Sequence, residues 1–200
     1  AFVVGMLTFL PFPSWASLVS LVTSATVIMY AMAPLSLAGL RRKDPERHRA
    51  YRLPAASVLC PVAFVCANFI VYFAGFSTIF WLYVLIAFGF VAFAIYQATL
   101  PADRRTIIDW RAAIWIIPWL AGLIIVSWLG RYDGVPPTVF GVTLLATKHF
   151  PNWVDLGVLA AFSLAIYYWA VFSTMSRDKV QTAVRDVELE ADIPDLMVAG

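Results

Sequence analysis

Apolar residues do not alternate with polar ones along this chain; they come in long unbroken runs, each stopped by a cluster of charge, proline or glycine. Neither the period of two of a half-buried strand nor the narrow 3.6-residue stripe of a water-facing helix describes such runs. After Pro11 and Pro13 an uncharged run extends over 16–40, uncharged runs follow at 55–76 and 78–98, and apolar runs at 107–130 and 153–174, the first of these two carrying Asp109 and Arg111 at its leading edge. About 20 apolar residues in a helix cross a hydrocarbon layer about 30 Å thick, so each run is expected to be one membrane span. The opening run 1–10 is too short to cross and reads as the remnant of an earlier span, which makes the chain a fragment of a longer protein. The expected fold class is all-α: a polytopic transmembrane helical bundle over 1–175, followed by a polar tail over 176–200.

The breaks between runs predict the connections. Residues 41–54 carry dense charge with Pro45 and Pro54, an aqueous loop. Only the Gly75 to Ser77 region separates the second and third spans, which predicts a tight helical hairpin. Residues 131–152 contain Gly134, Pro136, Pro137, Gly141 and Pro151, so a loop is expected there, with at most a short interfacial helix around 138–147. Trp110, Trp115, Trp128 and Tyr132 near the ends of the fourth span, and Trp153, Tyr167, Tyr168 and Trp169 flanking the last, read as an interfacial aromatic belt.

Composition sharpens this picture. Hydrophobic residues make up 62% of the 200 and charged ones 13%, with a mean hydropathy of +0.82, against about 25% charged in an ordinary soluble domain. Lipid is the expected solvent. A net charge of +2 with no basic stripe gives nucleic acid no surface to bind. Cys60 and Cys66 are six residues apart on one expected helix, about 9 Å at 1.5 Å per residue, too far for a disulfide. With no histidine or acid beside them they read as small apolar fillers, so no metal ligands and no cofactor are expected.

If each span reverses direction, the loops at 41–52 and 99–111 and the tail share one face. That face holds twelve of the 14 basic residues: Arg41, Arg42, Lys43, Arg47, Arg49 and Arg52, then Arg104, Arg105, Arg111, Arg177, Lys179 and Arg185. Arg131 and Lys148 fall on the other. The positive-inside rule then places the first group, and the tail, in the cytoplasm of a multi-pass cell-membrane protein. The 41–52 loop is a topology anchor, with contact to anionic lipid headgroups a second role open to it.

The hydroxyl-rich stretch 18–30, followed by Leu40, Arg41, Arg42, Lys43, Asp44 and Pro45 and then by Tyr51, Arg52, Leu53 and Pro54, resembles the amino acid–polyamine–organocation (APC) family of permeases. In that family a small- and hydroxyl-rich helix leads into an Arg-Arg-x-x-Pro loop closed by an aromatic-Arg-x-Pro step; Ala50 stands where a proline is common. The resemblance is strongest over 14–98. It implies the C-terminal portion of a LeuT-like inverted-repeat transporter fold, with 1–10 the end of the ninth helix, 16–40 the tenth, 55–98 the eleventh and twelfth, and two extra helices after them. It also implies an amino-acid substrate, a coupling ion and a secondary transporter, symporter or antiporter, working by alternating access. The family's substrate is held by the first and sixth helices, which this chain lacks, so the principal binding residues are not among these 200. The tenth helix of the fold runs from outside to inside, in agreement with the charge count.

Candidate functional residues lie on the 16–40 run. Ser17, Ser20 and Ser24 share one helical face, and Thr23, Thr26 and Tyr30 form an adjoining stripe. Two readings stand. Hydroxyls in lipid help helices pack closely; alternatively Ser20, Thr23, Ser24, Thr26 and Tyr30 line part of a substrate path, as the tenth helix does in the family. Pro34 leaves the Tyr30 carbonyl without its helical donor and is a hinge candidate as well as a packing feature. Asn68 is expected to bond a neighbouring helix, and Gln97 sits at the edge of its span. No acidic or histidine side chain is expected deep in a span, and His48 and His149 fall in loops. Without a nucleophile and base, paired carboxylates or metal spacing, catalysis has no support. A non-transporting membrane scaffold or subunit-interaction protein is the rival reading, and self-association as a homo-oligomer is left open.

Overall fold

The computed structural model describes residues 15–45, 52–101, 110–130, 138–139, 142–143, 153–173 and 181–182. Helix α1 is Trp15–Lys43, α2 Ala56–Phe73, α3 Phe76–Thr99, α4 Trp110–Ala113, α5 Ile116–Gly130 and α6 Val154–Phe172. Between α5 and α6 two strands of two residues each, β1 Thr138–Val139 and β2 Val142–Thr143, pair antiparallel with Thr138 opposite Thr143. These four residues stand in the segment expected to be a loop with at most a short helix; Thr and Val are β-branched and favour the pleated conformation. The expected remnant 1–10, the loop at 102–109 and most of the tail lie outside the described residues.

Among the described residues four helices, α1, α2, α3 and α6, are long and apolar enough to cross a membrane; α5, at 15 residues, is shorter. The expected fourth span, 107–130, is therefore divided. Pro118 has no amide to offer the carbonyl of Ile114, and the helix is interrupted by a turn at 114–115, just there. Pro118 then occupies the first turn of α5, where a missing donor costs nothing. Pro34 has the opposite outcome, because α1 continues through it as one helix of 29 residues.

The polypeptide reverses between helices. α1 packs most extensively on α2, and α2 in turn on α6, while α3 leans on α1 and α5. A two-residue link with Gly75 at φ 85° joins α2 to α3, a backbone turn open to glycine without strain. The connection is as short as expected, and the two helices touch little along their lengths.

The core lies among α1, α2, α5 and α6. Phe64, fully buried on α2, meets Trp119 of α5 at 5.5 Å and Tyr167 of α6 at 5.9 Å between ring centroids. Trp115 meets Trp119 with tilted rings at 5.7 Å between centroids and is itself buried. Trp115 and Tyr167, expected in an interfacial belt, are thus core residues, because the faces they occupy point into the bundle. Trp153, Tyr168 and Trp169 remain on the surface. α3 is the contrast: beyond Tyr83 its apolar side chains are almost all exposed, Phe88 to 71%.

Truncation of Phe64 is expected to cost about 1–3 kcal/mol. That is less than the roughly 3–5 kcal/mol of a soluble core, because separated helices already sit in lipid and only packing is lost. Phe64→Ala and the exposed Phe88→Ala, compared by unfolding in mixed micelles, should differ in this way, with Phe88→Ala near wild type. Equal losses would remove the assigned core.

Candidate functional site: a buried polar seam

On α2, Cys60, Phe64, Asn68 and Tyr72 recur every four residues and form one stripe; on α6, Asp155, Leu159, Ser163 and Tyr167 do the same. The two helices run antiparallel, so the stripes meet in reverse order. Tyr72 Oη donates to Asp155 Oδ2 at 2.6 Å, Asn68 Nδ2 donates to Ser163 Oγ at 2.9 Å, and Phe64 faces Tyr167. Helix α5 closes the third side, where Trp119 Nε1 donates to Asn68 Oδ1 at 3.1 Å. The second carboxylate oxygen of Asp155 accepts the amide of Leu156 at 3.0 Å in the first turn of α6.

All of these polar groups are buried, with Asn68 and Ser163 sealed completely. Isolated in hydrocarbon, each would lose its water partners and gain none. Together they satisfy one another and fix the register of three helices, since a one-residue slip would break every bond. Two glycines allow the close approach. A methyl group at Gly130 would collide with the Tyr72 hydroxyl and press on Asp155 Cβ at 3.0 Å; one at Gly122 would collide with the Phe162 ring. Trp153, just before α6, adopts φ 78°, an uncommon conformation for a bulky residue, at the entry to the turn that holds Asp155.

Asn68 thus bonds its neighbours as expected from the sequence, and Asp155, in the first turn of α6 and not deep in the span, is buried against them. The signal was present in the four-residue spacing of polar residues on two otherwise apolar helices.

The residues singled out on α1 lie apart from this seam. Ser24 is buried against the bundle and its hydroxyl donates to the Ser20 carbonyl at 2.8 Å, one turn back; Thr26, half-buried, donates to the Val22 carbonyl at 2.9 Å. Ser20 is half-buried, while Thr23 and Tyr30 face outward. Pro34 is half-buried on the same helix. Arg41, Arg42 and Lys43 form the last turn of α1, where the negative end of the helix dipole favours cations. Arg52 is exposed, and Arg47 and Arg49 lie outside the described residues, as do His48 and His149. Cys60 is buried and Cys66 exposed, both as free thiols.

Two curated proteins of Bacillus subtilis (strain 168) match nearly the whole chain. An aspartate-proton symporter is 30% identical over 181 residues, which is 88% of this chain and 32% of the relative. A glutamate/serine transporter, AimA, is 24% identical over 174 residues, 86% of this chain and 30% of that protein. The chain is similar to amino-acid transporters. It spans about a third of the length of these relatives. No protein-family profile matches it, and no solved structure does.

Removal of the phenolic hydroxyl tests the seam. Tyr72→Phe is expected to destabilise the bundle by about 1 kcal/mol, within the range of interhelical hydrogen bonds in membranes. Gly130→Ala should cost about 1–3 kcal/mol through overpacking. A double-mutant cycle of Tyr72→Phe with Asp155→Asn, read by unfolding in micelles, should show coupling; additive losses would mean the pair carries no energy of its own.

Proposed function

We propose that the chain is the C-terminal portion of a secondary transporter of the APC family, moving an amino acid across the cytoplasmic membrane by alternating access coupled to an ion. The observation that carries this reading is the match along nearly the whole chain to two proteins that both transport amino acids. The first relative's name makes a proton the coupling ion to test and an acidic amino acid the substrate to try first.

Geometry supports a division of labour. The seam ties α2, α5 and α6 into one unit, and α1 packs against it through Leu21, Ser24, Ala31 and Leu35. The opposite face of α1 carries Thr23 and Tyr30, turned away from the bundle. In this proposal that face borders the substrate path formed with the missing helices, Ser20 and Thr26 flank it, and Ser24 belongs to the packing. Pro34 is the proposed hinge, since it removes one backbone bond without ending the helix. The basic end of α1 and the polar tail are proposed to lie in the cytoplasm.

Uptake of radiolabelled amino acid by the longer protein tests this assignment. Thr23→Leu and Tyr30→Leu should each reduce uptake by about tenfold or more at unchanged membrane abundance, whereas Met29→Leu, on the same exposed surface, should not. A single cysteine at position 23, with Cys60 and Cys66 replaced, should react with a membrane-impermeant thiol reagent and be protected by substrate. Normal uptake by both leucine variants removes the pathway role.

A further inference from the structure

The geometry points to a binding site for an anionic phospholipid at the end of the bundle where α1 stops, α2 begins and α6 stops. A cleft of about 540 Å³ opens there between Arg41 and Arg42 on one side and Ala56, Ser57, Tyr168 and Phe172 on the other. Its two halves differ in chemistry. Arg41 Nη1 donates to the Leu53 carbonyl at 3.2 Å, which ties the incoming chain of α2 to the end of α1. The Arg42 guanidinium lies over the Phe172 ring, 4.1 Å from its centroid, a cation–π contact that holds it at the cleft wall, its edges donating to no acceptor among the described residues. Both guanidinium groups thus have planar donors fixed by carbonyl and ring contacts, the geometry that suits a phosphate oxygen pair. Ser57 adds an exposed hydroxyl.

The remaining lining is apolar. Ala38, Leu53, Ala56, Cys60 and Val171 form the floor, and the exposed faces of Leu40, Tyr168 and Phe172 continue it along the outside of the helices. Inorganic phosphate would meet the arginines and leave these walls against water. A phospholipid satisfies both halves, with its phosphate between the guanidinium groups and an acyl chain over the apolar ridge. Depth agrees, because the cleft lies where uncharged sequence gives way to Arg41, and headgroups lie at that boundary. Occupation would add to the packing, the Arg41–Leu53 bond and the Arg42–Phe172 contact that already join α1 to α2 and α6. The inference goes beyond the transport reading and does not depend on it: a cleft that takes lipid in a protein that moves no amino acid would leave it intact.

Native mass spectrometry of the detergent-purified protein, titrated separately with phosphatidylglycerol, phosphatidylcholine and inorganic phosphate, tests it. Phosphatidylglycerol is expected to bind at least about fivefold more tightly than phosphatidylcholine, and inorganic phosphate at equal concentration should not displace it. Arg42→Gln should weaken phosphatidylglycerol binding about fivefold, the effect of one basic residue near a charged lipid surface, while Arg42→Lys keeps part of it. Arg41→Gln also removes the tie to Leu53, so Arg42→Gln, which leaves that tie in place, is the deciding variant. Arg52→Gln, outside the cleft, should have no effect. Equal affinity for the two lipids, displacement by inorganic phosphate, or equal loss in Arg42→Gln and Arg52→Gln would overturn the proposal.

Discussion

Hydrocarbon offers a polar group no hydrogen-bond partner, and the described parts of this protein are organised by that fact. Long helices satisfy their own backbones, which is why uncharged runs became helices. Side-chain hydroxyls follow the same requirement at smaller scale: Ser24 and Thr26 turn back onto carbonyls of their own helix. Where a polar group faces another helix it reaches across, as Tyr83 Oη does to the Leu120 carbonyl at 2.6 Å, and as Asn68, Tyr72, Trp119, Asp155 and Ser163 do within the seam.

Helices in lipid gain little from hiding apolar surface against each other, so association depends on close fit and on such bonds. Gly122 and Gly130 on α5 supply the fit against Phe162 and against the Tyr72–Asp155 pair. The seam therefore does what a hydrophobic core does in water. It selects one register for α2, α5 and α6 and leaves the outer face of α1 and most of α3 for other contacts, either lipid or the helices of a longer transporter.

Much of this was legible in the residues. Long apolar runs marked α1, α2, α3 and α6, and Gly75 marked the turn between α2 and α3. Pro118 could have located the break in the fourth run, since a proline removes the bond to the carbonyl four residues before it; the run was read by composition alone, and composition does not register a missing amide. Asp155 was overlooked for a related reason. Its depth depends on which way α6 is rotated, and hydropathy carries no rotation; only the four-residue spacing of Asp155, Ser163, Asn68 and Tyr72 does. Trp115 and Tyr167 were assigned to the interface on residue type, yet the core claimed them because their helical faces point at Phe64 and Trp119. The separation of Ser24 from Thr23 and Tyr30 likewise needed the packing of α1 on α2, which no single helix encodes.

The account rests on lipid as the solvent of the outer surface, and α3 states that claim most sharply. Spin labels placed one at a time at Phe88, Val91 and Ile95 in the chain reconstituted into bilayers would report it through collision rates with oxygen, which concentrates in hydrocarbon, and with a water-soluble nickel chelate. The account predicts high oxygen and low chelate accessibility at all three positions. High chelate accessibility there would place water against the helix and contradict it.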